Sequence, residues 1–97
     1  MAEKIVWSAR ATDDLHHIFQ SLSIYADTRA ERLIEEIIDT VFLLEQFPKM
    51  GRIVPEVDLE NIREILVKQY RVVYVLTQQD HVEILTVRHS SFPRPSL

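Results

Sequence analysis

The chain contains no cysteine. A disulfide framework, a thiolate zinc site and a cysteine nucleophile are excluded, and the absence fits a reducing compartment. Glycine occurs once, at Gly51, so a glycine-rich phosphate loop, and with it an NTPase, is excluded. No serine stands in a nucleophile-elbow spacing. No apolar run approaches the ~20 residues that cross a bilayer. The opening stretch Met1–Ser8 carries no long apolar segment of the signal-peptide kind. A cytoplasmic protein with no membrane partner is expected. His16 and His17 are adjacent, about 100° apart on a helix, and cannot readily share one ion. No His-x-x-x-His pair exists, so no metal and no cofactor is expected.

What is present is an ordinary globular balance. Of 97 residues, 46% are hydrophobic and 27% charged, which suits one domain spanning 1–97. The net charge of −4 is not the basic footprint of a domain that lives on nucleic acid. The charge is uneven. Residues 1–48 hold 4 basic and 9 acidic side chains, and residues 49–97 hold 7 and 6. Any anion-binding surface is expected in the second half.

The run Lys4-Ile5-Val6-Trp7 is short and β-branched and reads as a strand. Ser8 is placed to cap a following helix, whose apolar face is Ala11, Leu15, Ile18, Phe19, Leu22 and Tyr25. Asp13 and Asp14 fall near the positive end of that helix. Thr28-Arg29-Ala30-Glu31 has the form of a capping box. It precedes a second stripe, Ala30, Leu33, Ile34, Ile37, Ile38, Val41 and Leu44, which Phe42, Leu43 and Phe47 widen. Pro48 is expected to stop the helix, and Gly51 to supply a positive φ in the next turn. Residues 52–61 read as irregular. Strands are predicted over 63–67, 70–76 and 82–87, joined by turns short enough for antiparallel hairpins. The middle one is apolar on both faces apart from Arg71, so it is expected at the centre of the sheet. The order β-α-α-β-β-β predicts an α+β fold of two layers, a helical hairpin packed on a four-stranded, mainly antiparallel sheet.

Several segments, in order, then resemble a known family. They are Ile5-Val6-Trp7-Ser8 followed by Ala11 and Asp14-Leu15; Phe47-Pro48, Gly51-Arg52 and Val54-Pro55-Glu56; Arg63-Glu64-Ile65; Tyr70-Arg71-Val72-Val73-Tyr74; and Ile84-Leu85-Thr86-Val87-Arg88-His89. The set is similar to the ParE/RelE superfamily, toxins of bacterial type II toxin–antitoxin systems, and covers nearly the whole chain. The resemblance implies a growth-inhibiting toxin, associated with plasmid stabilisation and neutralised by a cognate antitoxin that wraps around it. ParE-like members are described as poisoning DNA gyrase. RelE-like members cut messenger RNA on the ribosome.

Each branch implies its own site. Metal-free RNA cleavage needs a base, a cation for the phosphate and an acid; Glu56, Arg71 and His89 are the candidates. Tyrosine is absent after Tyr74, Phe92 has no hydroxyl, and lysines are few, so the RNase is the alternative and a ParE-like inhibitor, which needs no catalytic residue, ranks first. Its target contacts are expected at Arg63, Arg71, Arg88 and Arg94. The antitoxin is expected on Val41, Phe42, Leu43 and Phe47, a surface that can also close a homodimer. Each residue also has a plainer role. Arg71 can pair with Glu64 or Glu83 across the sheet, Glu56 can be a solvated loop charge, His89 can bond a loop carbonyl, and Trp7 and the tyrosines can be core.

Overall fold

The computed structural model of the chain describes residues 4–24 and 27–91. Tyr25, Phe92 and Arg94 lie outside them. The elements are β1 (Lys4–Trp7), α1 (Ala9–Ser23), α2 (Asp27–Phe42), a 3₁₀ turn (Leu43–Glu45), β2 (Arg52–Ile53), β3 (Ile62–Val67), β4 (Tyr70–Leu76) and β5 (His81–His89). The α+β class and the helical hairpin are as expected, but the sheet has five strands, ordered β1-β5-β4-β3-β2. The added strand, β2, pairs only Arg52 with Glu64 and Ile53 with Arg63. Two residues carry no period that a sequence pattern can register. The β1–β5 pairing is parallel, and the other three pairings are antiparallel. As the apolar run predicts, β4 is central.

Both helices lie on one face of the sheet. Ala11 of α1 and Ile37, Val41 and Leu44 of the second helical segment pack with Val67, Val72, Tyr74, Val82, Ile84 and Val87. Ala11 is fully buried, and its small side chain lets α1 approach the sheet closely. The alternation along β5 is interrupted. Val73 pairs with Thr86 but Tyr74 pairs with Ile84, so Leu85 is an extra residue in β5. Such a bulge resets the inward phase. It allows Val82, Ile84 and Val87, which do not share one period of two, to join a single core.

Local chemistry at the joints departs from several expectations. Ser8 does cap α1, accepting from Ala11 N at 3.0 Å. Asp14 lies beyond the first turn and does more than complement the helix dipole. Its Oδ2 accepts from the Thr86 hydroxyl and from Val87 N. Thr28 lies inside α2 instead of capping it. Helix α2 ends at Phe42 and tightens into the 3₁₀ turn, so Pro48 stands beyond the stop.

Gly51 does not have a positive φ; that conformation falls on Asp58, Lys68 and Asp80. Gly51 is needed for space. A Cβ there would meet Tyr74 Oη at 2.7 Å and the Glu64 carbonyl oxygen at 2.8 Å. Gly51 N donates to Tyr74 Oη at 3.0 Å, and that hydroxyl donates to Pro48 O at 2.8 Å. The buried phenol thus ties the loop before β2 to the core. Gly51→Ala is expected to destabilise the fold by about 1–3 kcal/mol through overpacking against backbone, read as a lower midpoint in urea denaturation.

Candidate functional site

Side chains alternate across a strand, and the core claims Tyr70, Val72 and Tyr74 of β4. Arg71 therefore projects from the sheet face away from the helices. Its direct partner across β5 is Arg88, and across β3 it is Leu66. Arg52 stands opposite Glu64. The result is a row across four strands, Arg52, Glu64, Arg71 and Arg88, with three cations and one carboxylate.

Like charges directly opposite each other destabilise a sheet. Glu64 offsets this for Arg71. Its side chain is fully buried, with Oε2 at 2.7 Å from Arg52 Nε and Oε1 at 3.1 Å from Arg71 Nε. The first contact is a hydrogen bond. The second is an ion-pair contact at hydrogen-bond distance in which the Nε–H is not aligned on the oxygen. Arg71 Nη2 also donates to Ser90 O at 3.3 Å, and the residue is 7% exposed. Arg71 therefore takes the cross-strand pairing with Glu64 that its neighbours in sequence allow.

The remaining candidates occupy separate places. Arg63 donates to three carbonyls, those of Glu60, Lys49 and Gly51, so its guanidinium closes the loop beside β2. His89 ends β5 and meets Tyr70 edge-on, with ring centroids 5.3 Å apart. Ser91 N donates to His89 Nδ1 at 3.1 Å. A backbone donor at that nitrogen assigns the proton of the neutral ring to Nε2, which lies 3.3 Å from Gln69 Oε1. Glu56 is exposed in the turn at 55–57. That turn hangs from Val54, whose N–H donates to Ile62 O. Ile62 faces Val75, whereas His89 faces Tyr70 at the other end of β4. Five residues of strand separate the two levels, about 17 Å. Arg71 and His89 are thus at the same end of the β4–β5 pair but on opposite faces of the sheet, and Glu56 hangs from its other end.

The apolar residues flagged on the second helical segment also divide. Val41 is core, 2% exposed. Phe42, Leu43 and Phe47 are exposed. Phe42 lines a cleft of about 270 Å³ against β1, with Ile5, Trp7 and Ile38. Leu43 lines a different, larger one of about 1220 Å³ between the helices and the β3–β4 turn. Among the described residues no group of three or more His, Asp or Glu side chains is arranged to hold a metal, and no helix is long and apolar enough to cross a membrane.

A helical hairpin on one face of a small mixed sheet, with arginines paired to a buried glutamate on the other, defines a two-layer α+β class. The model of the ParE toxin of the type II toxin–antitoxin system, parDE, matches residues 5–92. The chain therefore belongs to the ParE toxin family and is the toxin component of a type II toxin–antitoxin system. Its partner is a cognate antitoxin. No curated protein matches the sequence. Solved structures share the fold. The chromosomal ParDE system of P. aeruginosa superimposes with a TM-score of 0.74 at 17% identity, covering 89% of this chain and 94% of that one. The RelBE2 toxin–antitoxin complex of Mycobacterium tuberculosis gives 0.67 at 20% identity, covering 92% and 99%. A mutant E. coli RelE toxin in the free state gives 0.67 at 14%, covering 94% and 86%.

Two tests follow from the buried groups. Glu64→Ala leaves Arg71 without its carboxylate and is expected to cost about 3–5 kcal/mol in urea denaturation. Arg52 is more than half exposed, and Arg52→Ala is expected to cost no more than about 1 kcal/mol. Burial pushes the Tyr74 hydroxyl above the usual tyrosine value of 10.0, with the Gly51 N–H and the Arg63 charge acting the other way. The unfolded chain ionises first, so stability is full below about pH 10 and falls as pH rises beyond it. In Tyr74→Phe that alkaline loss should shrink, as read by thermal unfolding at stepped pH.

Proposed function

We propose that this toxin inhibits growth by a ParE-like action on DNA gyrase in the cytoplasm, and that its antitoxin covers Phe42, Leu43 and Phe47. The observation that carries the gyrase target is the separation of the residues an RNase would need. Glu56 is anchored at one end of the β3–β4 pair and His89 sits at the other. The Nδ1 of His89 accepts a backbone N–H, which does not suit a general acid acting through that nitrogen. Arg71 is held against Glu64. An inhibitor that works by binding needs none of these groups free for chemistry.

The target surface is the sheet face away from the helices, with Arg88 at its border and Arg63 bracing its margin; Arg71, 7% exposed, supports it from within, and Arg94, outside the described residues, is a further expected contact. The antitoxin surface supplies exposed aromatic and aliphatic side chains beside two clefts, which suits helix-in-groove docking or addition of a strand at the β1 edge. Val41 supports that surface from within the core.

The deciding experiment pairs a supercoiling assay on purified gyrase with ribosome-dependent primer extension on messenger RNA. Inhibition in the first, cancelled by the antitoxin, with no cleavage in the second is the expected pattern. Cleavage on the ribosome with gyrase unaffected, abolished by Arg71→Ala or His89→Ala, would replace the proposal with the RNase alternative. Size-exclusion chromatography of the free toxin tests whether the same apolar surface closes a homodimer.

A further inference from the structure

A cleft of about 660 Å³ lies between α1 and the end of β5, within the roughly 300–1,000 Å³ of small-molecule sites. It takes no part in the proposed gyrase or antitoxin surfaces described above, apart from Arg88 at its border. One wall is a stripe on α1, Arg10, Asp14 and His17, at i, i+4 and i+7. The facing wall is Tyr70, Arg88 and His89. Neither the Arg10 nor the His17 side chain makes a hydrogen bond or ion pair with any described residue, whereas Asp14 Oδ2 is engaged by Thr86 and Val87 N.

The order of these groups is chemically specific. Arg10 and His17 are about 10 Å apart along the helix axis, comparable to a nucleotide from phosphate to base. Arg10 stands at one end and offers a guanidinium fork that suits a phosphate, while Arg88 borders the cleft beside His89. Asp14 is midway, where a carboxylate repels a phosphate but accepts a hydroxyl from a sugar. The Tyr70–His89 pair marks the other end with aromatic surface. The geometry points to a nucleotide-binding site: phosphate at Arg10, sugar at Asp14, base against Tyr70 and His89. The phosphate belongs either to a free mononucleotide or to the end of a nucleic-acid strand. The site does not depend on gyrase being the target, and a failure there leaves it standing.

The test is titration of the full chain with AMP, followed by backbone amide NMR. Saturable shifts confined to residues 10–21, 69–71 and 87–91 are expected, with inorganic phosphate and adenosine each binding at least about tenfold more weakly. Arg10→Gln should weaken AMP by about tenfold with the melting temperature unchanged. Arg32→Gln, on another cleft, should leave AMP binding unchanged. A 5′-phosphorylated trinucleotide that binds more tightly than AMP assigns the phosphate to a strand end, and one that binds more weakly assigns it to a free nucleotide; both support the site. Absence of saturation, equal binding of inorganic phosphate, or AMP shifts that survive Arg10→Gln would overturn it.

Discussion

Beyond Ile84, strand β5 has no neighbouring strand on its outer side among the described residues, because β1 ends at Trp7. A buried strand edge cannot leave its polar groups unmet. Ser8 and Asp14 take over the pairing. Ser8 N donates to Ile84 O and Ser8 Oγ donates to Leu85 O. Asp14 then receives Val87 N. Residues 84, 85 and 87 of β5 are thereby stitched to the start of α1. This fixes the angle at which the helical hairpin crosses the sheet, and hence where Ile37, Val41 and Leu44 meet β4. It also sets α1 against the end of β5 so that a polar cleft remains between them.

The other face of the sheet obeys a different constraint. Placing Arg71 opposite Arg88 is costly unless a negative charge lies close by, and Glu64 is that charge. Burying a carboxylate with two guanidiniums seldom gains stability over apolar packing. What it supplies is orientation. Glu64 holds two arginine side chains in place at 2.7 and 3.1 Å, with Arg71 buried beside it and Arg52 more than half exposed.

Much of this architecture was legible in the residues. The stripe from Ala30 to Leu44 and the apolar run from Tyr70 to Leu76 identified the second helix and the central strand because both exceed one full period of their pattern. Elements shorter than a period were not legible. The two-residue β2 and the single inserted residue Leu85 depend on pairing between distant segments. Gly51 misled in an informative way: a lone glycine after a helix suggests backbone freedom, yet here it makes room for Tyr74 Oη and the Glu64 carbonyl, both far away in sequence. The ordered resemblance to the ParE/RelE superfamily identified the family, and the cross-strand pairing of Arg71 with Glu64 was among the roles open to it. The stripe Arg10, Asp14, His17 drew no notice because polar residues on a helix are the default for its solvent side. The expected confinement of anion binding to the second half of the chain also left Arg10 out of view.

The parallel pairing of β1 with β5 joins residues 4–7 to residues 81–84, and Ser8 bonds a carbonyl 77 positions away. On a ribosome, the first strand emerges long before its partner exists. The helical hairpin and the β3–β4 hairpin can form early from local contacts, but the sheet closes only when residue 84 and those after it are free of the exit tunnel. Contacts of such long sequence separation slow folding. For a toxin, this delays the assembled surface until β5 has been made, and leaves a window in which an antitoxin already present can meet each new molecule as it folds.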